Sequence, residues 1–386
     1  MTEQTSDVAA AVANLRMFSG EQQHQNFSNL KRLLPVSAMR AAPRAFEFPT
    51  GKSLALPDTF QFNGQQISTT DFLSRTDTGA LLVLQNGEIR LEEYWLSGGR
   101  EVQWISWSVA KSFVSALVGI ALAEGAIASI DEPISRYVAV KPASAYDGVS
   151  IRHVLQMASG ARWNEDYADP ESDINRFSAV MAGHGTLDEY IATMERQNAP
   201  GTLCRYNSAE TQVLGSLLVQ ETGESITDYM QARLCDPLGF ESPGYWLVDS
   251  SGREMAFGGL NLTARDFAKL GELFRRGGDW HGVQLVPADW IAASTRCDEP
   301  YLQAGMVEVG GLKFEIGYGY QWWIPRGNRG EYSGIGIYNQ FLYVDPSRNI
   351  TIMKQSANPV YGSPADDHTS ELETIEFLRA VCRACE

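Results

Sequence analysis

Strand-like segments lie near both ends of this 386-residue chain, whereas helix-like segments dominate its middle. Residues 80–85 and 88–95 are apolar or alternating runs on either side of Asn86-Gly87, a turn sequence typical of a β-hairpin. Strands from the two ends can pair if the helical middle is inserted between them. We therefore predict an α+β fold, an antiparallel sheet flanked by helices with an inserted helical domain. Towards the C-terminus, strand-like runs recur at 312–316, 320–323, 338–344 and 349–354.

The domain boundaries follow the change between strand and helix patterns. Residues 1–75 contain several prolines among isolated apolar residues and predict an irregular N-terminal arm. A discontinuous α/β domain is predicted from 76–133 and 255–386, and the inserted helical domain is predicted at 134–254. A cleft is expected where the two domains meet. The predicted helices cover 113–122, 151–157, 187–194, 209–222, 225–234, 264–276, 287–294 and 371–382.

The net charge of −16 argues against a nucleic-acid or anionic-membrane surface, so neither partner is expected. No apolar run approaches the ~20 residues of a membrane span. The polar, acidic start at 1–7 lacks the pattern of a secretory signal, so we expect a cytoplasmic protein. The expected partner is a small molecule, and the sequence leaves a homodimer open.

Cysteine and histidine usage gives no sign of a metal site or a disulfide framework. The five histidines are scattered without metal-ligand spacing, and Cys382 and Cys385 form a C-x-x-C that no second pair completes. The number of cysteines is odd and their density is low. We therefore expect neither a metal nor another cofactor.

The pair Ser108 and Lys111 is the first candidate for chemistry. Apolar residues at helical spacing follow it over 113–122 and end at Glu124-Gly125, where glycine suits the left-handed position that closes a helix. Residues three apart on a helix share a face. A hydroxyl and an amine are therefore predicted to point into one space at a helix N-terminus, where free backbone N–H groups favour negative charge.

A serine hydroxyl becomes a nucleophile when a base removes its proton, and a lysine amine is a base only when burial or a neighbouring cation lowers its pKa. An amine at the mouth of an apolar helix is a candidate for that state. The short motif is equally compatible with a helix-capping serine and a surface lysine. Further groups are needed to decide between the two interpretations.

Two further segments could complete such a site. Tyr206 precedes a predicted helix about a hundred residues after Ser108, and as a phenolate stabilised by an ammonium it could relay protons to a leaving group. It could also be an ordinary tyrosine at a helix start. In the run 332–338, alternating glycines would let a substrate approach a strand edge, and a following N–H could join that of Ser108 in an oxyanion hole. A bulged strand is the alternative.

The three motifs together resemble a known superfamily. Ser-x-x-Lys at Ser108, Tyr-x-Ser at Tyr206 and a glycine-containing strand near the C-terminus occur in the order found in serine β-lactamases and penicillin-binding proteins, in particular their class C and esterase-like branch. The resemblance runs from about 79 to 380 and implies a β-lactamase/transpeptidase-like fold. Within the superfamily, the chain is similar to the 6-aminohexanoate-dimer hydrolases, the nylon-oligomer hydrolases, at 164–170, 321–323 and 333–337.

The resemblance implies roles for the matching residues. Ser108 would be the acylated nucleophile, Lys111 its base, and Tyr206 the group that passes the proton to the leaving group. The backbone N–H groups of Ser108 and Ile337 would hold the oxyanion. The implied substrate-binding residues are Tyr167 on a loop over the cleft, Trp323 as an aromatic wall, and Gly336, Phe257 and Ser208.

Departures from the family pattern bear on the substrate. Where β-lactamases have Lys-Thr-Gly, this chain has Gly334-Ile335-Gly336, and Ser208 replaces the usual Asn of the tyrosine motif. Phe257 stands where a polar pocket residue might precede the next glycines. These changes favour hydrolysis of small carboxylic esters, with short linear amides resembling 6-aminohexanoate oligomers as further substrates.

Two alternatives stay open at this point. One is a weak β-lactamase or D-amino-acid peptidase, and the other is a catalytically silent binding homologue. A metallohydrolase is disfavoured by the histidine spacing. The base for deacylation is not assigned by the sequence, although Glu165 and Asp166 are acidic residues in the right neighbourhood.

Overall fold

The structure, a computed structural model, describes residues 23–363, 366 and 369–385. Within them, the predicted α+β architecture is confirmed. The strands, in chain order, are β1 (Val36–Met39), β2 (Thr59–Phe62), β3 (Gln65–Ser68), β4 (Thr78–Gln85), β5 (Glu88–Tyr94), β6 (Trp104–Ile105), β7 (Gly244–Leu247), β8 (Leu260–Leu262), β9 (Asp279–Trp280), β10 (Val283–Gln284), β11 (Val307–Val309), β12 (Leu312–Phe314), β13 (Ile316–Tyr318), β14 (Trp323–Pro325), β15 (Tyr332–Gly336), β16 (Gln340–Asp345) and β17 (Ile350–Ser356).

The helices confirm the predicted segments, with ends that differ by at most a few residues. The predicted helix 225–234 is α8 followed by a π-helical turn, Gln231–Cys235. The α-helices are α1 (Gln23–Phe27), α2 (Thr69–Arg75), α3 (Ala110–Ala123), α4 (Ile151–Leu155), α5 (Asp173–Ser178), α6 (Leu187–Ala192), α7 (Ser208–Thr222), α8 (Ile226–Met230), α9 (Asp236–Leu238), α10 (Ala264–Arg275), α11 (Ala288–Ser294) and α12 (Ser370–Ala384).

One seven-stranded antiparallel sheet combines both ends of the chain, in the order β13-β14-β15-β16-β17-β4-β5. Strands β4 and β5 form the predicted hairpin, in which Gln85 lies opposite Glu88 across the turn. Asn86 and Gly87 both have positive φ, as the tight turn requires. Strand β17, which lies near the C-terminal end of the chain, pairs with β4 along its length. The prediction that both ends build one sheet is therefore confirmed.

Both faces of the sheet are buried along its strands β4, β16 and β17, because helices cover each face. Successive side chains of a strand point to opposite faces. On β4, Leu82 and Leu84 belong to the hydrophobic core that includes residues of α10, whereas Leu81 and Val83 belong to the core that includes Phe377 of α12. The uniformly apolar sequence of β4 follows from this position between two layers.

Helix α3 lies between the sheet and the helical layer, and all of its residues from Ala110 to Ala121 are buried. A side chain at Gly119 would lie 2.5 Å from the ring of Trp290, so glycine permits the close packing of α11 against α3. The helix ends before Gly125, whose φ of +78° confirms the predicted left-handed stop. In the described part of the chain, no helix has the length and apolar composition that crossing a bilayer requires.

The prediction of an irregular arm over residues 1–75 is wrong for much of the described part of that segment. Strands β2 and β3 form a hairpin around Asn63 and Gly64, both with positive φ, and α2 follows, capped by Ser68. The Asn-Gly signal was present there as at 86–87, but the surrounding prolines obscured it. Residues 1–22 lie outside the described residues.

A second antiparallel sheet, in the order β1-β7-β8-β6, was not predicted. Its strands have only two to four residues and come from distant parts of the sequence, so no local periodicity marks them. Strand β7 lies inside the segment 134–254 and pairs with β1 and β8. The proposed domain boundaries stay a prediction.

Two predicted strands begin later than expected, and one predicted run is divided. Gln321 has a φ of +62°, so β14 begins at Trp323, and Tyr338 and Asn339 form a left-handed turn before β16. The side chain of Gln321 accepts a hydrogen bond from Thr211 at 2.6 Å and donates one to the Leu155 carbonyl at 2.9 Å. These tertiary contacts hold a conformation that strand propensity does not predict. The run 312–316 is divided between β12 and β13.

A second buried lysine, Lys354 on β17, gives a stability prediction. Its ammonium nitrogen donates to the hydroxyls of Ser356 and Thr76 and lies 5.3 Å from the centre of the Phe72 ring. Burial lowers its pKa from 10.5 to about 7. Between pH 7 and pH 10.5, the Lys354 amine is protonated in the unfolded chain but neutral in the folded chain. The contribution of Lys354 to the free energy of unfolding therefore rises with pH across this window.

We expect Lys354→Met to raise the free energy of unfolding by about 1–3 kcal/mol at pH 6, because it removes a buried charge. The gain should shrink towards pH 10, where the wild-type amine is neutral in both states. Urea unfolding at both pH values measures the difference, with the exposed Lys52→Met as control. An equal effect at the two pH values would contradict the prediction.

Candidate active site

The turn that precedes α3 positions Ser108. Residues Trp107–Val109 form a 3-10 turn, and the backbone N–H of Ser106 donates to the Leu260 carbonyl at 2.8 Å, which ties the turn to β8. Trp107 has a φ of +44°, a conformation that costs a bulky residue about 1–3 kcal/mol. Its ring packs on Phe27 and Tyr338, with ring centres 5.3 and 5.9 Å away. These contacts hold the strained turn in place.

Lys111 and Ser108 share the helix face that the sequence predicted. The amine of Lys111 donates to the Ser108 hydroxyl oxygen at 2.9 Å, to the Ser208 hydroxyl oxygen at 3.1 Å and to the Phe257 carbonyl at 2.7 Å. Lys111 is 1% exposed, and burial lowers its pKa from 10.5 to about 7, with the charge of Glu165 acting in the opposite direction. Near neutral pH, a substantial fraction of the amine is therefore uncharged and able to accept a proton.

Tyr206 also contacts the nucleophile candidate, because its side chain makes a hydrogen bond with Ser108. The Lys111 amine is 5.1 Å from the centre of the Tyr206 ring, and Trp323 stacks on that ring at 5.0 Å between centres. Burial raises the pKa of Tyr206 well above its usual value, although the bond with Ser108 opposes the shift. The phenolate that the sequence suggested is thus disfavoured, and Tyr206 is a proton donor at neutral pH.

Ser208 connects Lys111 to a buried carboxylate. Its hydroxyl accepts from Lys111 and donates to Glu165 at 2.6 Å. Glu165 is 2% exposed and also accepts from the Ser208 backbone N–H, the Tyr167 hydroxyl and the Trp163 indole N–H. This network places a negative charge beside Lys111 without direct contact.

The neighbouring acid, Asp166, has a different role in the structure. Its carboxylate accepts from the Ala168 backbone N–H at 2.9 Å, and its own N–H donates to the Asn164 side chain. Asp166 therefore stabilises its own loop. The sequence named Glu165 and Asp166 together, and only the fold separates them.

Strand β15 packs against the Ser108 turn because it carries glycines. A side chain at Gly336 would lie 2.5 Å from the Ser106 carbonyl oxygen and 3.0 Å from the Ser108 nitrogen, and one at Gly334 would lie 3.0 Å from the Ser112 hydroxyl. Close approach of a substrate was the expected role of these glycines, but the Ser108 turn of the protein itself occupies the space. The packing brings Ile337, the next residue, beside Ser108.

Two cavities of unequal size border Ser108. One has a volume of about 610 Å³ and is lined by Tyr206, Trp323 and Gly336 among others, and the second, of about 30 Å³, is lined by Ser208 and Phe257 among others. Three of the predicted residues border both cavities: Ser108, Tyr167 and Ile337. Lys111 lies behind Ser108 and borders neither of the two.

One element of the site was missed, the hairpin β11–β12, which lies over the large cavity. The Tyr206 N–H donates to the Glu308 carbonyl at 2.8 Å, and the Glu308 carboxylate pairs with Arg205 at 3.3 Å. The hairpin thus holds Tyr206 in place, and Val309, Leu312 and Phe314 form part of the cavity wall. Its signal was the Gly310-Gly311 turn between two short alternating runs.

Comparison with known proteins agrees with this geometry. The β-lactamase family model matches residues 71–373. The 6-aminohexanoate-dimer hydrolase of Paenarthrobacter ureafaciens is 30% identical over 348 residues, which cover 86% of this chain and 85% of that protein.

Solved structures show the same fold. A Bacillus anthracis protein provisionally named 6-aminohexanoate-dimer hydrolase superposes with a TM-score of 0.82 at 21% identity over 95% of each chain. EstCE1, a hydrolase with promiscuous acyltransferase activity, superposes with a TM-score of 0.61 at 16% identity over 81% of this chain and 99% of its own. The expected β-lactamase/transpeptidase-like fold is confirmed, and the chain is a serine hydrolase that belongs to the β-lactamase family.

Proposed function

We propose that this enzyme hydrolyses small carboxylic esters through an acyl-enzyme at Ser108, with short linear amides as a second substrate group. The observation that carries the proposal is the buried Lys111 amine, 2.9 Å from the Ser108 hydroxyl oxygen and with its pKa lowered to about 7. An uncharged amine at that distance is a general base for serine. The 6-aminohexanoate-dimer hydrolase relative supports the inclusion of amides.

In the proposed first half-reaction, Lys111 takes the Ser108 proton while the serine oxygen forms a bond to the carbonyl carbon. The backbone N–H groups of Ser108 and Ile337 hold the negative charge that develops on the carbonyl oxygen. The bond to the alcohol or amine then breaks, and Tyr206 donates its proton to the departing oxygen or nitrogen. Lys111 lies beside the Tyr206 ring and restores that proton.

In the second half-reaction, the oxygen of a water molecule forms a bond to the acyl carbon. The bond from that carbon to the Ser108 oxygen then breaks, and the proton that the water loses restores the Ser108 hydroxyl. The products are a carboxylic acid and an alcohol or amine. Tyr167 and Trp323 would contact the substrate in the large cavity, whereas Gly336, Phe257 and Ser208 would shape the space around the carbonyl.

A weak β-lactamase or D-amino-acid peptidase activity is the second candidate, and one observation favours it. Gly334-Ile335-Gly336 provides no cation for a drug carboxylate, but Lys313 of β12 borders the large cavity. An ammonium at that position could pair with a carboxylate. Because Lys313 is exposed and lies on a different element, we rank this activity below ester hydrolysis.

The deciding experiment is intact mass and turnover after exposure to p-nitrophenyl acetate, a fluorophosphonate, benzylpenicillin and nitrocefin. Ester turnover with a single fluorophosphonate adduct supports the proposal. A persistent penicillin adduct or rapid nitrocefin turnover without ester turnover would favour the second candidate. No adduct with any probe would indicate a catalytically silent homologue.

The position of Glu165 gives a further prediction. Its charge raises the pKa of Lys111, so Glu165→Gln should shift the acid limb of the kcat/KM profile towards lower pH by about 1 unit. The rate itself should fall, because the amide nitrogen would replace the oxygen that accepts from the hydroxyls of Ser208 and Tyr167 and cannot accept from them. The measurement is p-nitrophenyl acetate hydrolysis from pH 5 to 9.

Asp166→Asn is the matched control, because it removes a neighbouring carboxylate that contacts its own loop. Its profile should keep the wild-type midpoint. A shift in Asp166→Asn equal to that of Glu165→Gln would show that net charge, and not the Ser208 network, sets the pKa of Lys111.

A further inference from the structure

The two cavities at Ser108 differ about twentyfold in volume, about 610 Å³ against about 30 Å³. A carbonyl carbon bonded to the Ser108 oxygen carries two further groups, the acyl chain and the leaving group. With the oxyanion held by the N–H groups of Ser108 and Ile337, those two groups point in different directions. The structure therefore offers each of them a separate space.

Tyr206 decides which group occupies which cavity. It borders the large cavity and not the small one, which is bordered by Ser208 and Phe257. A proton donor acts on the leaving group only within hydrogen-bond reach of it. The leaving group must therefore lie in the large cavity, and the acyl chain in the small one.

The walls of the small cavity are apolar and fixed. Ile174, Met255 and Phe257 are each at most 5% exposed. The Phe257 ring stacks on Phe177 at 4.7 Å between centres and 29° between planes, which prevents it from rotating away. Among the described residues that line this cavity, the polar side chains are all uncharged.

We infer that this enzyme selects substrates with a short, uncharged acyl group and a larger leaving group. The small cavity has about one-twentieth of the volume of the large one, so it accommodates a shorter chain than the large cavity does. Acetyl and propionyl groups are therefore expected to react faster than a hexanoyl or ω-aminoacyl chain. The inference rests on the proposed acyl-enzyme mechanism and names its substrate class.

The large cavity fits an extended leaving group. Val309, Phe314 and Ile335 supply apolar wall, and charged groups at Lys313, Asp366 and Glu371 border the same space. A leaving group with an apolar stem and a polar end matches this distribution. Alcohols and amines longer than the acyl chain are therefore the expected partners of the ester or amide bond.

Two substrate series test the inference. In p-nitrophenyl acetate, propionate, butyrate and hexanoate, kcat/KM should fall by about tenfold or more from propionate to hexanoate. In methyl, butyl and octyl acetate, where leaving-group reactivity changes little, kcat/KM should stay level or rise. Equal rates across the acyl series, or a steep fall across the alkyl series, would overturn the assignment of the two cavities.

Variants on the two cavities make the test specific. Met255→Ala widens the small cavity and should raise the hexanoate-to-acetate ratio of kcat/KM by about tenfold, whereas Ser178→Leu narrows it and should lower the propionate-to-acetate ratio. Ser178→Leu keeps the inference testable if Met255→Ala does not fold. Leu312→Ala, on the large cavity, is the matched control and should leave both ratios unchanged.

The outcomes separate the inference from the proposed function. Ester turnover that depends on Ser108 but is insensitive to acyl length in both small-cavity variants would refute the cavity assignment alone. Absence of any turnover that depends on Ser108 would refute the acyl-enzyme mechanism on which the assignment rests.

Discussion

Ser108→Ala is expected to lower kcat/KM for p-nitrophenyl acetate by about 10⁴–10⁶-fold and to abolish fluorophosphonate labelling. The substitution removes the oxygen that accepts from Lys111 and bonds with Tyr206. It should not disturb the fold, since Lys111 keeps its bonds to Ser208 and the Phe257 carbonyl. Steady-state kinetics and intact mass measure the two effects, and thermal unfolding checks the structure.

Ser115→Ala is the matched control for this substitution. Ser115 is a buried serine on the same helix, and its hydroxyl has no hydrogen-bond partner among the described residues. Its replacement should change kcat/KM less than about twofold, as expected away from the reacting atoms. If Ser108→Ala retained a tenth of wild-type turnover, another residue would have to be the nucleophile.

Lys111→Arg and Lys111→Met are expected to lower kcat/KM by about 10²–10⁴-fold, the usual contribution of a general base. In the wild type, Lys111 acts as a base only when neutral. The rate should therefore rise as pH increases through about 7, the lowered pKa of this buried amine, and level off above it. Arginine keeps the positive charge but cannot deprotonate, so the rise near pH 7 should be lost.

The pH profile of kcat/KM from pH 5 to 9 measures this effect, because it reports groups of the free enzyme. Comparison of the two variants separates proton transfer from charge: Lys111→Met removes both, and Lys111→Arg removes proton transfer alone. A wild-type profile that survives unchanged in Lys111→Arg would assign the titration to another group.

Local sequence determined the elements that carry Ser108 and Lys111. The 3.6-residue periodicity over 113–122 and the glycine at 125 predict helix α3, and a spacing of three places Ser108 and Lys111 on one face whatever surrounds them. The hairpin at Asn86-Gly87 is likewise predicted from neighbouring residues alone. The order of the Ser-x-x-Lys, Tyr-x-Ser and glycine-strand motifs was sufficient to predict the family, and Ser108, Lys111 and Tyr206 as site residues stay a prediction.

Tertiary packing decided the features that no local pattern encodes. Lys111 has a lowered pKa because its part of α3 is buried, and Glu165, not Asp166, bonds to the Ser208 hydroxyl that contacts Lys111. The second sheet was missed because its strands are short and pair across long stretches of chain. The left-handed conformation of Trp107 likewise depends on the packing of Phe27 and Tyr338.

The sequence by itself therefore determined the fold class through helical spacing and turn residues. The resemblance of its three motifs indicated the family and the chemistry expected of the site. Only the tertiary structure decided the protonation states of Lys111 and Tyr206 and the shape of the cavities at Ser108. Burial and the cavity volumes are properties of segments brought together from residues 107, 165, 206, 257, 308 and 337. Those segments lie far apart along the chain, and their distances from one another are fixed only when both ends have paired into one sheet.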